Sequence, residues 1–313
     1  MNNIQILDIP KSSKILITGH VNPDGDALGS GLAMKLVLDN LGYSTTVSFD
    51  YINKISEELS FLPIQHLTTF DSINENYDLS IVFDCGNPER LGSLEHKVLE
   101  SKTVYVIDHH LEQSFGTHFE IDSNAASTTQ VLYRMFIKEK LLINPLIATC
   151  LLTGLITDTG RFQYSNTSSE VFDIASALLE LGADLTLITE SIYGSVNSGA
   201  LQLQAEVIQR LAIISEVKLS YSYVLHEDYT KHKTIPEETD FLIDVVRLPK
   251  ETNVAILLKE MQPLASSSPR VIIQGSGMVL NIGHSMVGVL IQRYCLLFKI
   301  KFMVLTHRRV FGN

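Results

Sequence analysis

The chain has 313 residues, 45% of them hydrophobic, and a formal net charge of −11 at pH 7. This length is typical of about two domains, and the acidic balance argues against a broad electrostatic grip on duplex DNA. No run approaches the ~18 apolar residues that a membrane-spanning helix needs, and the three cysteines are not spaced as zinc ligands. We therefore expect a cytoplasmic protein that has no membrane partner and keeps its thiols free.

The first half of the chain alternates between strand and helix patterns. Short apolar runs predict strands over residues 14–19, 44–49, 79–83 and 103–107. Apolar residues at helical spacing predict helices over residues 29–41, 127–136, 145–157, 169–181, 185–193 and 201–214. Strands that are apolar on both faces are typical of a parallel sheet flanked by helices. The predicted fold class is therefore α/β, with a parallel sheet covered by helices on both faces.

A second and smaller αβ pattern follows near residue 217. It includes a predicted helix over residues 239–247 and a predicted strand over residues 254–259. We therefore expect three parts: an amino-terminal domain over residues 1–185, a helical linker over residues 186–215, and a carboxyl-terminal α/β domain over residues 216–313.

Acids and histidines recur after three of the predicted strands and in one predicted helix. They are His20, Asp24, Asp26, Asp84, Asp108, His109, His110 and Asp158. In open α/β sheets, ligands bind at the carboxyl ends of the strands, so these side chains could converge. Carboxylates and imidazoles suit Mn²⁺ and similar ions, and a pair of such ions stabilises both the attacking and the leaving oxygen of a phosphate ester. The sequence therefore predicts a two-metal phosphoesterase.

Each of these segments also has a purely structural interpretation. NPDGD is good turn sequence, and an aspartate at a strand end can cap the next helix. The aspartate of TDTG could end a helix, and the two adjacent histidines could be ordinary surface residues. All four segments would have to coincide by accident for the structural interpretation to account for the whole set.

Four motifs resemble those of a known family. HVNPDGDALGSGLA, IVFDCGNPERLG, VIDHH and TGLITDTGRFQYSNTS are similar to the four signature motifs of DHH-family phosphoesterases, and the order and spacing are most similar to the NrnA-type group. The resemblance implies hydrolysis of short oligoribonucleotides and of 3′-phosphoadenosine 5′-phosphate (pAp) by a catalytic DHH domain followed by a DHHA1-like substrate-binding domain. It also implies two Mn²⁺ ions, with Mg²⁺ or Co²⁺ as substitutes, and is compatible with a homodimer.

The resemblance gives each matching position a role. It implies that His20 and Asp24 bind one ion, that Asp26, His109 and Asp158 bind the other, and that Asp84 bridges both. His110 would contact the scissile phosphate or support the leaving group, and Asp108 would orient a ligand or act as a further one. Arg161 would reach a phosphate or, alternatively, pair with a surface acid. Ser127 and Thr128 fit a helix start better than a substrate contact.

The carboxyl-terminal segment departs from the NrnA-type pattern, which has an Arg-rich strand and a GGGH loop. Arg270 matches the first arginine, and Gln274 stands where a second is expected. His284 lies in a poor match to the loop, where it either binds substrate or is incidental. The resemblance thus implies Arg270 and His284 as candidate substrate contacts. The last 53 residues contain six basic and no acidic side chains. Two interpretations stay open, a shifted reading frame after about residue 262 and a divergent basic tail that binds phosphate. Reading the coding DNA would decide between them.

Two other functions also stay open. One is a phosphodiesterase of the same superfamily that acts on cyclic or linear dinucleotides, because the metal motifs do not separate these substrates. The other is a nucleotide-binding protein that no longer hydrolyses its ligand, which the altered carboxyl-terminal segment mildly favours.

Overall fold

The computed structural model describes residues 4–50, 55–73, 76–111, 113–194, 196–239, 241–260, 270–275 and 278–282. The chain forms two compact units that divide between residues 195 and 196. This division falls inside the predicted linker, but the predicted domain bounds and the substrate-binding role of the second domain stay predictions. In the part of the chain that the structure describes, no helix combines the length and the apolar character needed to cross a membrane.

The first unit is built on a parallel sheet. Its strands within the described residues are β1 (Lys14–Gly19), β2 (Ser44–Val47), β3 (Leu79–Phe83), β4 (Thr103–Asp108) and β5 (His118–Ile121). They pair in the order β2-β1-β3-β4-β5, and every pair is parallel. The predicted α/β fold class is therefore confirmed. β5 was not predicted, because its four residues are only half-buried and HFEI is not a continuous apolar run.

Apolar side chains cover both faces of this sheet. Along β1, Ile15 and Ile17 belong to one buried cluster and Leu16 to another, because successive side chains of a strand point to opposite faces. The helices of the first unit are α1 (Gly25–Asn40), α2 (Glu95–Leu99), α3 (Thr128–Lys138), α4 (Pro145–Asp158), α5 (Ser169–Glu180) and α6 (Leu185–Tyr193). The unbroken apolar runs of the central strands follow from this burial on both sides.

The start of α1 differs from the prediction. The helix begins at Gly25 rather than at residue 29, because the carboxylate of Asp24 accepts hydrogen bonds from the backbone N–H groups of Asp26 and Ala27 and caps it. Asp26 therefore lies in the first helical turn instead of in a free turn. α1 packs closely on α4, where a β-carbon at Gly29 would lie 2.5 Å from the carbonyl oxygen of Cys150.

The second unit contains a mixed sheet. Its described elements are α7 (Ser198–Gln209), β6 (Ala212–Ile214), β7 (Leu219–Val224), α8 (His226–His232), α9 (Leu242–Val246), β8 (Val254–Lys259), β9 (Arg270–Gly275) and β10 (Met278–Ile282). The order is β10-β9-β8-β7-β6, and only β7 and β8 are parallel among the described pairs. The predicted helix over residues 201–214 is wrong at its end, because residues 212–214 pair with β7 as a strand.

Candidate metal centre

The candidate ligands lie at one edge of the first sheet. His20 follows β1, Asp84 follows β3, and Asp108 is the last residue of β4. The strand order changes direction between β1 and β3, since β2 lies on one side of β1 and the later strands lie beyond β3. Ligands of open α/β sheets bind at such a switch point, outside the carboxyl ends of the strands. The fold therefore brings His20 and Asp84 to its usual binding position.

One group of possible ligands consists of His20, Asp24 and Asp84, whose ligand atoms lie within 4.8 Å of one another. Nε2 of His20 is 3.7 Å from Oδ1 of Asp24 and 3.3 Å from Oδ2 of Asp84. The other ring nitrogen, Nδ1, is 2.8 Å from the carbonyl oxygen of Val21. A proton on Nδ1 would be donated to this carbonyl, which leaves Nε2 directed at the carboxylates as a possible metal ligand.

A second group consists of Asp26, His109 and Asp158, and their ligand atoms again lie within 4.8 Å of one another. Nε2 of His109 is buried and lies 3.2 Å from Oδ2 of Asp158. The carboxylate of Asp26 accepts the backbone N–H groups of Thr128 at 2.6 Å and of Thr129 at 2.9 Å. The first turn of α3 thus holds Asp26 in place.

Asp84 contacts both groups. Its Oδ2 faces His20, and its Oδ1 lies 3.6 Å from Nε2 of His109 and 3.1 Å from Nδ1 of His110. Its backbone has a φ of 51°, in the left-handed region. Such conformations cost about 1–3 kcal/mol for residues other than glycine and concentrate at functional sites. This geometry suits a carboxylate that is shared between two ions.

The carboxylate of Asp108 accepts hydrogen bonds from residues that follow it closely in the chain. Its Oδ1 accepts the backbone N–H groups of His109 at 2.7 Å and of His110 at 2.9 Å, and it lies 2.8 Å from Nδ1 of His110. Its Oδ2 accepts a hydrogen bond from Nε2 of Gln113 at 2.8 Å. These contacts occupy the carboxylate, which favours the orienting role over the ligand role. A proton donated from Nδ1 of His110 leaves Nε2 available on a side chain that is 53% exposed.

The raised pKa values of Asp26, Asp158 and His109 show that negative charge accumulates in the metal-free centre. Burial and the charge of Asp84 raise the pKa of Asp26 to about 7, and burial and the charge of Asp26 raise the pKa of Asp158 well above its usual range. Burial alone would lower the pKa of His109, but the hydrogen bond to Asp158 and the charge of Asp26 bring it to about 9. Bound divalent cations would replace these protons, so the residues fit a metal pair.

The histidine that follows His109 is held in its charged form by two acids. Hydrogen bonds to Asp108 and Asp84 raise the pKa of His110 to about 10. For His20, burial would lower the pKa, but hydrogen bonds to Asp24 and Asp84 outweigh burial and raise it well above its usual range. Each histidine of the centre thus faces at least one carboxylate, as expected before cations take up the negative charge.

Some supporting residues were not predicted. Ser127 caps α3 through a hydrogen bond from the N–H of Gln130, as the sequence suggested, but the contact of that helix with Asp26 was missed. Gln113 was also missed, although it follows the DHH triplet closely. Nδ2 of Asn166 donates to the carbonyl oxygens of Ala126 and Asp158. The SNTS motif that contains Asn166 was the available signal for this last role.

Of the three predicted substrate contacts, Arg161 lies in the first unit and is not a member of these groups. Arg161 is exposed, and its guanidinium lies over the ring of Tyr193 with 4.6 Å to the ring centroid. Gly160, Arg161 and Phe162 all have left-handed φ values, of 54°, 62° and 62°. The backbone of Arg270 begins β9. His284 and the rest of the atypical tail apart from β9 and β10 lie outside the described residues.

Comparison with known proteins agrees with this geometry. Residues 14–155 match the DHH family, N-terminal domain. The chain is 29% identical to the probable bifunctional oligoribonuclease and PAP phosphatase NrnA of Streptococcus mutans, over 64% of this chain and 62% of that protein. It is 26% identical to the cyclic-di-AMP phosphodiesterase GdpP of Bacillus subtilis, over 81% of this chain and 39% of that protein. The chain thus spans less than two thirds of the length of these curated relatives.

A solved structure supports the fold. An exopolyphosphatase-related protein from Bacteroides fragilis superposes with a TM-score of 0.76 at 23% identity, over 84% of this chain and 79% of that one. The motifs, the ligand groups at the switch point and the match over residues 14–155 agree with one another. Residues 14–155 of the chain therefore match the N-terminal domain of the DHH family in sequence, and the ligand groups of the first unit lie where its motifs fall.

Proposed function

We propose that this protein is a phosphoesterase that hydrolyses short oligoribonucleotides and pAp with two bound Mn²⁺ ions, for which Mg²⁺ or Co²⁺ can substitute. The observation that carries the proposal is the position of Asp84, whose two oxygens face His20 on one side and His109 and His110 on the other. The NrnA relative, whose name includes both activities, supports this choice of substrates.

The bound ions would supply an activated water and stabilise the charge that develops on the phosphate. His20, Asp24 and Asp84 would hold one ion, and Asp26, His109, Asp158 and Asp84 would hold the other. The protein keeps these groups in position before any substrate arrives. The Val21 carbonyl sets the ring orientation of His20, and the first amides of α3 set the carboxylate of Asp26.

His110 would act directly on the substrate. Asp108 accepts the proton on Nδ1, so the exposed Nε2 would contact the scissile phosphate or donate a proton to the leaving oxygen. Arg161 would bind a substrate phosphate, and its stacking on Tyr193 would fix the position of the guanidinium. Arg270 and His284 are proposed substrate contacts of the second unit.

A second candidate function is hydrolysis of cyclic or linear dinucleotides. The similarity to the cyclic-di-AMP phosphodiesterase favours it, and the same two groups of ligands would serve this reaction. Short oligoribonucleotides and cyclic dinucleotides both present a phosphodiester between nucleosides, so the metal centre does not select between these two substrates.

A substrate panel tests the proposal. The purified full chain is assayed in Mn²⁺ with pAp, a linear ribodinucleotide, a cyclic dinucleotide and pyrophosphate. We expect turnover of pAp and the linear dinucleotide above the other two. Faster turnover of the cyclic dinucleotide would select the second candidate. Nucleotide binding without any turnover would contradict both and indicate a binding protein.

A further inference from the structure

The segment after Asp84 carries a cation that no role in the metal centre uses. A short 3₁₀ helix, Pro88–Leu94, follows β3. Oδ1 of Asn87 accepts the N–H of Glu89 at 3.0 Å and caps this helix, and Leu91 and Leu94 are fully buried. The segment is thus anchored at its start and along its inner side.

Its far end is tied to Asp50, which lies three residues beyond the end of β2. The carboxylate of Asp50 accepts hydrogen bonds from Oγ of Ser93 at 2.8 Å and from its backbone N–H at 3.2 Å. Gly92 has a φ of 59°, and a β-carbon there would collide with the Asp50 carboxylate and with Val21. Only glycine fits this close approach. We define the anchored segment, residues 87–94, as the NPERLG loop.

The NPERLG loop is joined to a candidate metal ligand. The carbonyl oxygen of Arg90 accepts the N–H of Val21 at 2.7 Å, and Val21 follows His20. The positive charge of Arg90 also opposes the rise to about 12 that burial causes in the pKa of Cys85, and Cys85 follows Asp84. The backbone of Arg90 therefore contacts the residue that follows His20, and its charge acts on the residue that follows Asp84.

The side chain of Arg90 is exposed and has no hydrogen bond or ion pair with any residue that the structure describes. Arg90 thus stands on an anchored backbone and has no described acidic partner, although the chain has 35 acidic residues and a net charge of −11. The contacts that shape the NPERLG loop involve its backbone, Asn87, Ser93 and two leucines. The loop therefore does not need the guanidinium for its own structure.

The charge balance of the metal centre leaves a binding role for this arginine. Four carboxylates, those of Asp24, Asp26, Asp84 and Asp158, belong to the two ligand groups and would balance the charge of two divalent ions. A reacting phosphate can lie against the ions, but a second phosphate on the same substrate needs a separate cation. Guanidinium groups bind phosphate through paired, charge-assisted hydrogen bonds.

We propose that Arg90 forms a binding site for a second, non-scissile phosphate of the substrate, on the His20 side of the metal centre. The site selects nucleotides with two phosphate groups, such as nucleoside 3′,5′-bisphosphates and 5′-phosphorylated dinucleotides. The inference rests on the proposed function for its substrate class, but the phosphate site itself can be measured without turnover.

The test compares Arg90→Met and Arg90→Lys with the unaltered protein. Lys138→Met is the matched control, because Lys138 is an exposed cation at the carboxyl end of α3, about 15 Å along the helix from the end that contacts Asp26. Binding of pAp and of 5′-AMP is titrated calorimetrically in Ca²⁺, which binds oxygen ligands. Circular dichroism establishes that each variant is folded.

We expect Arg90→Met to weaken pAp binding about ten- to hundredfold and to change 5′-AMP binding less than about threefold, because only pAp carries the second phosphate. Arg90→Lys keeps the charge but loses the paired donors, so its affinity for pAp should lie between those of the unaltered protein and Arg90→Met. Lys138→Met should match the unaltered protein. Equal affinities of the unaltered protein and Arg90→Met for pAp, equal losses on both ligands, or no pAp binding by the unaltered protein would each overturn the inference.

Kinetics in Mn²⁺ separate this inference from the proposed function. With a 5′-phosphorylated and an unphosphorylated ribodinucleotide, Arg90→Met should raise KM only for the phosphorylated substrate and leave kcat nearly unchanged. If the unaltered protein hydrolyses neither dinucleotide while the binding pattern holds, the proposed function fails and the phosphate site stands. If hydrolysis occurs and Arg90→Met changes KM equally for the two dinucleotides, or changes neither, the phosphate site is wrong and the phosphoesterase assignment stands.

Discussion

Asp84 faces His20 across the point where the strand order reverses, with 3.3 Å between Oδ2 of the acid and Nε2 of the imidazole. The other oxygen of the same carboxylate is 3.6 Å from Nε2 of His109, which belongs to the second group. One side chain thus joins the two groups of ligands, although its neighbours come from different strands. A change at this position should therefore disturb both groups at once.

We predict that Asp84→Asn lowers turnover of pAp in Mn²⁺ by at least about a thousandfold, because the loss of the shared carboxylate removes several kcal/mol of charge stabilisation. Metal analysis of the purified variant should find fewer than two Mn²⁺ ions per chain. Asp78→Asn is the matched control, since Asp78 precedes β3 and pairs with Lys102 at the opposite end of the strand. Near-normal turnover by Asp84→Asn would rule out the shared-ligand role.

The orienting role of Asp108 leads to a different expectation. In Asp108→Asn, the amide can still accept the backbone N–H groups, and Oε1 of Gln113, which is buried without a partner among the described residues, can accept the new N–H₂. The negative charge beside His110 is lost, however. We predict that kcat falls by about a hundredfold while two Mn²⁺ ions still bind. Loss of an ion from this variant would show that Asp108 is a ligand.

The strands that carry the ligands could be predicted from the sequence. The predicted bounds of β3 are confirmed, because a strand that is buried on both faces must be apolar at every position and so leaves an unbroken run. Asp84 stands where that run ends. β5 has no such run, since its residues are half-buried, and it was therefore missed.

The contacts that hold the ligands could not be predicted in the same way. Asp26 is held by the N–H of Thr128, which is 102 residues away along the chain, and backbone donors carry no sequence signature. The NPERLG loop depends on Asp50 and Gly92, whose contact is also non-local. Sequence patterns report burial and local turns, whereas these contacts depend on how separate elements pack.

The packing around Asp26 gives a further prediction. A β-carbon at Gly154 would lie 2.5 Å from Cγ2 of Thr129 and 2.6 Å from Oδ1 of Asp26, so Gly154→Ala must displace the carboxylate. We predict that the affinity for Mn²⁺ falls about tenfold or more, because mutation of the groups that orient a ligand typically costs that much. Titration calorimetry with Mn²⁺ measures the change.

Gly29→Ala is the matched control for this variant. It also inserts a methyl group between α1 and α4, but the nearest atom is the carbonyl oxygen of Cys150 rather than a candidate ligand. Both variants should lower the midpoint of thermal unfolding, because both overpack the same pair of helices. Only Gly154→Ala should weaken Mn²⁺ binding beyond this shared effect, and equal Mn²⁺ affinities of the two variants would contradict the role given to Asp26.

Metal binding should be linked to the release of protons. In the metal-free centre, the pKa of Asp26 is about 7 and that of His109 about 9, so near neutral pH His109 carries a proton and Asp26 is partly protonated. A metal ion binds the deprotonated ligands. Lower pH favours the protonated, metal-free form, and the affinity for Mn²⁺ should therefore rise between about pH 6 and about pH 8, by roughly tenfold or more per pH unit.

Calorimetry in two buffers with different ionisation enthalpies counts the protons released on Mn²⁺ binding. We expect at least about one to two protons per chain near pH 7, because His109 gives up a full proton and Asp26 a fraction of one, and the raised pKa values of His20 and Asp158 can only add to this number. His96→Gln should leave this number unchanged, since His96 is an exposed histidine on α2 that pairs with Glu100. Proton release close to zero, or an affinity for Mn²⁺ that does not change with pH, would mean that these two residues do not bind the ion, because any ligand with a raised pKa must lose its proton first.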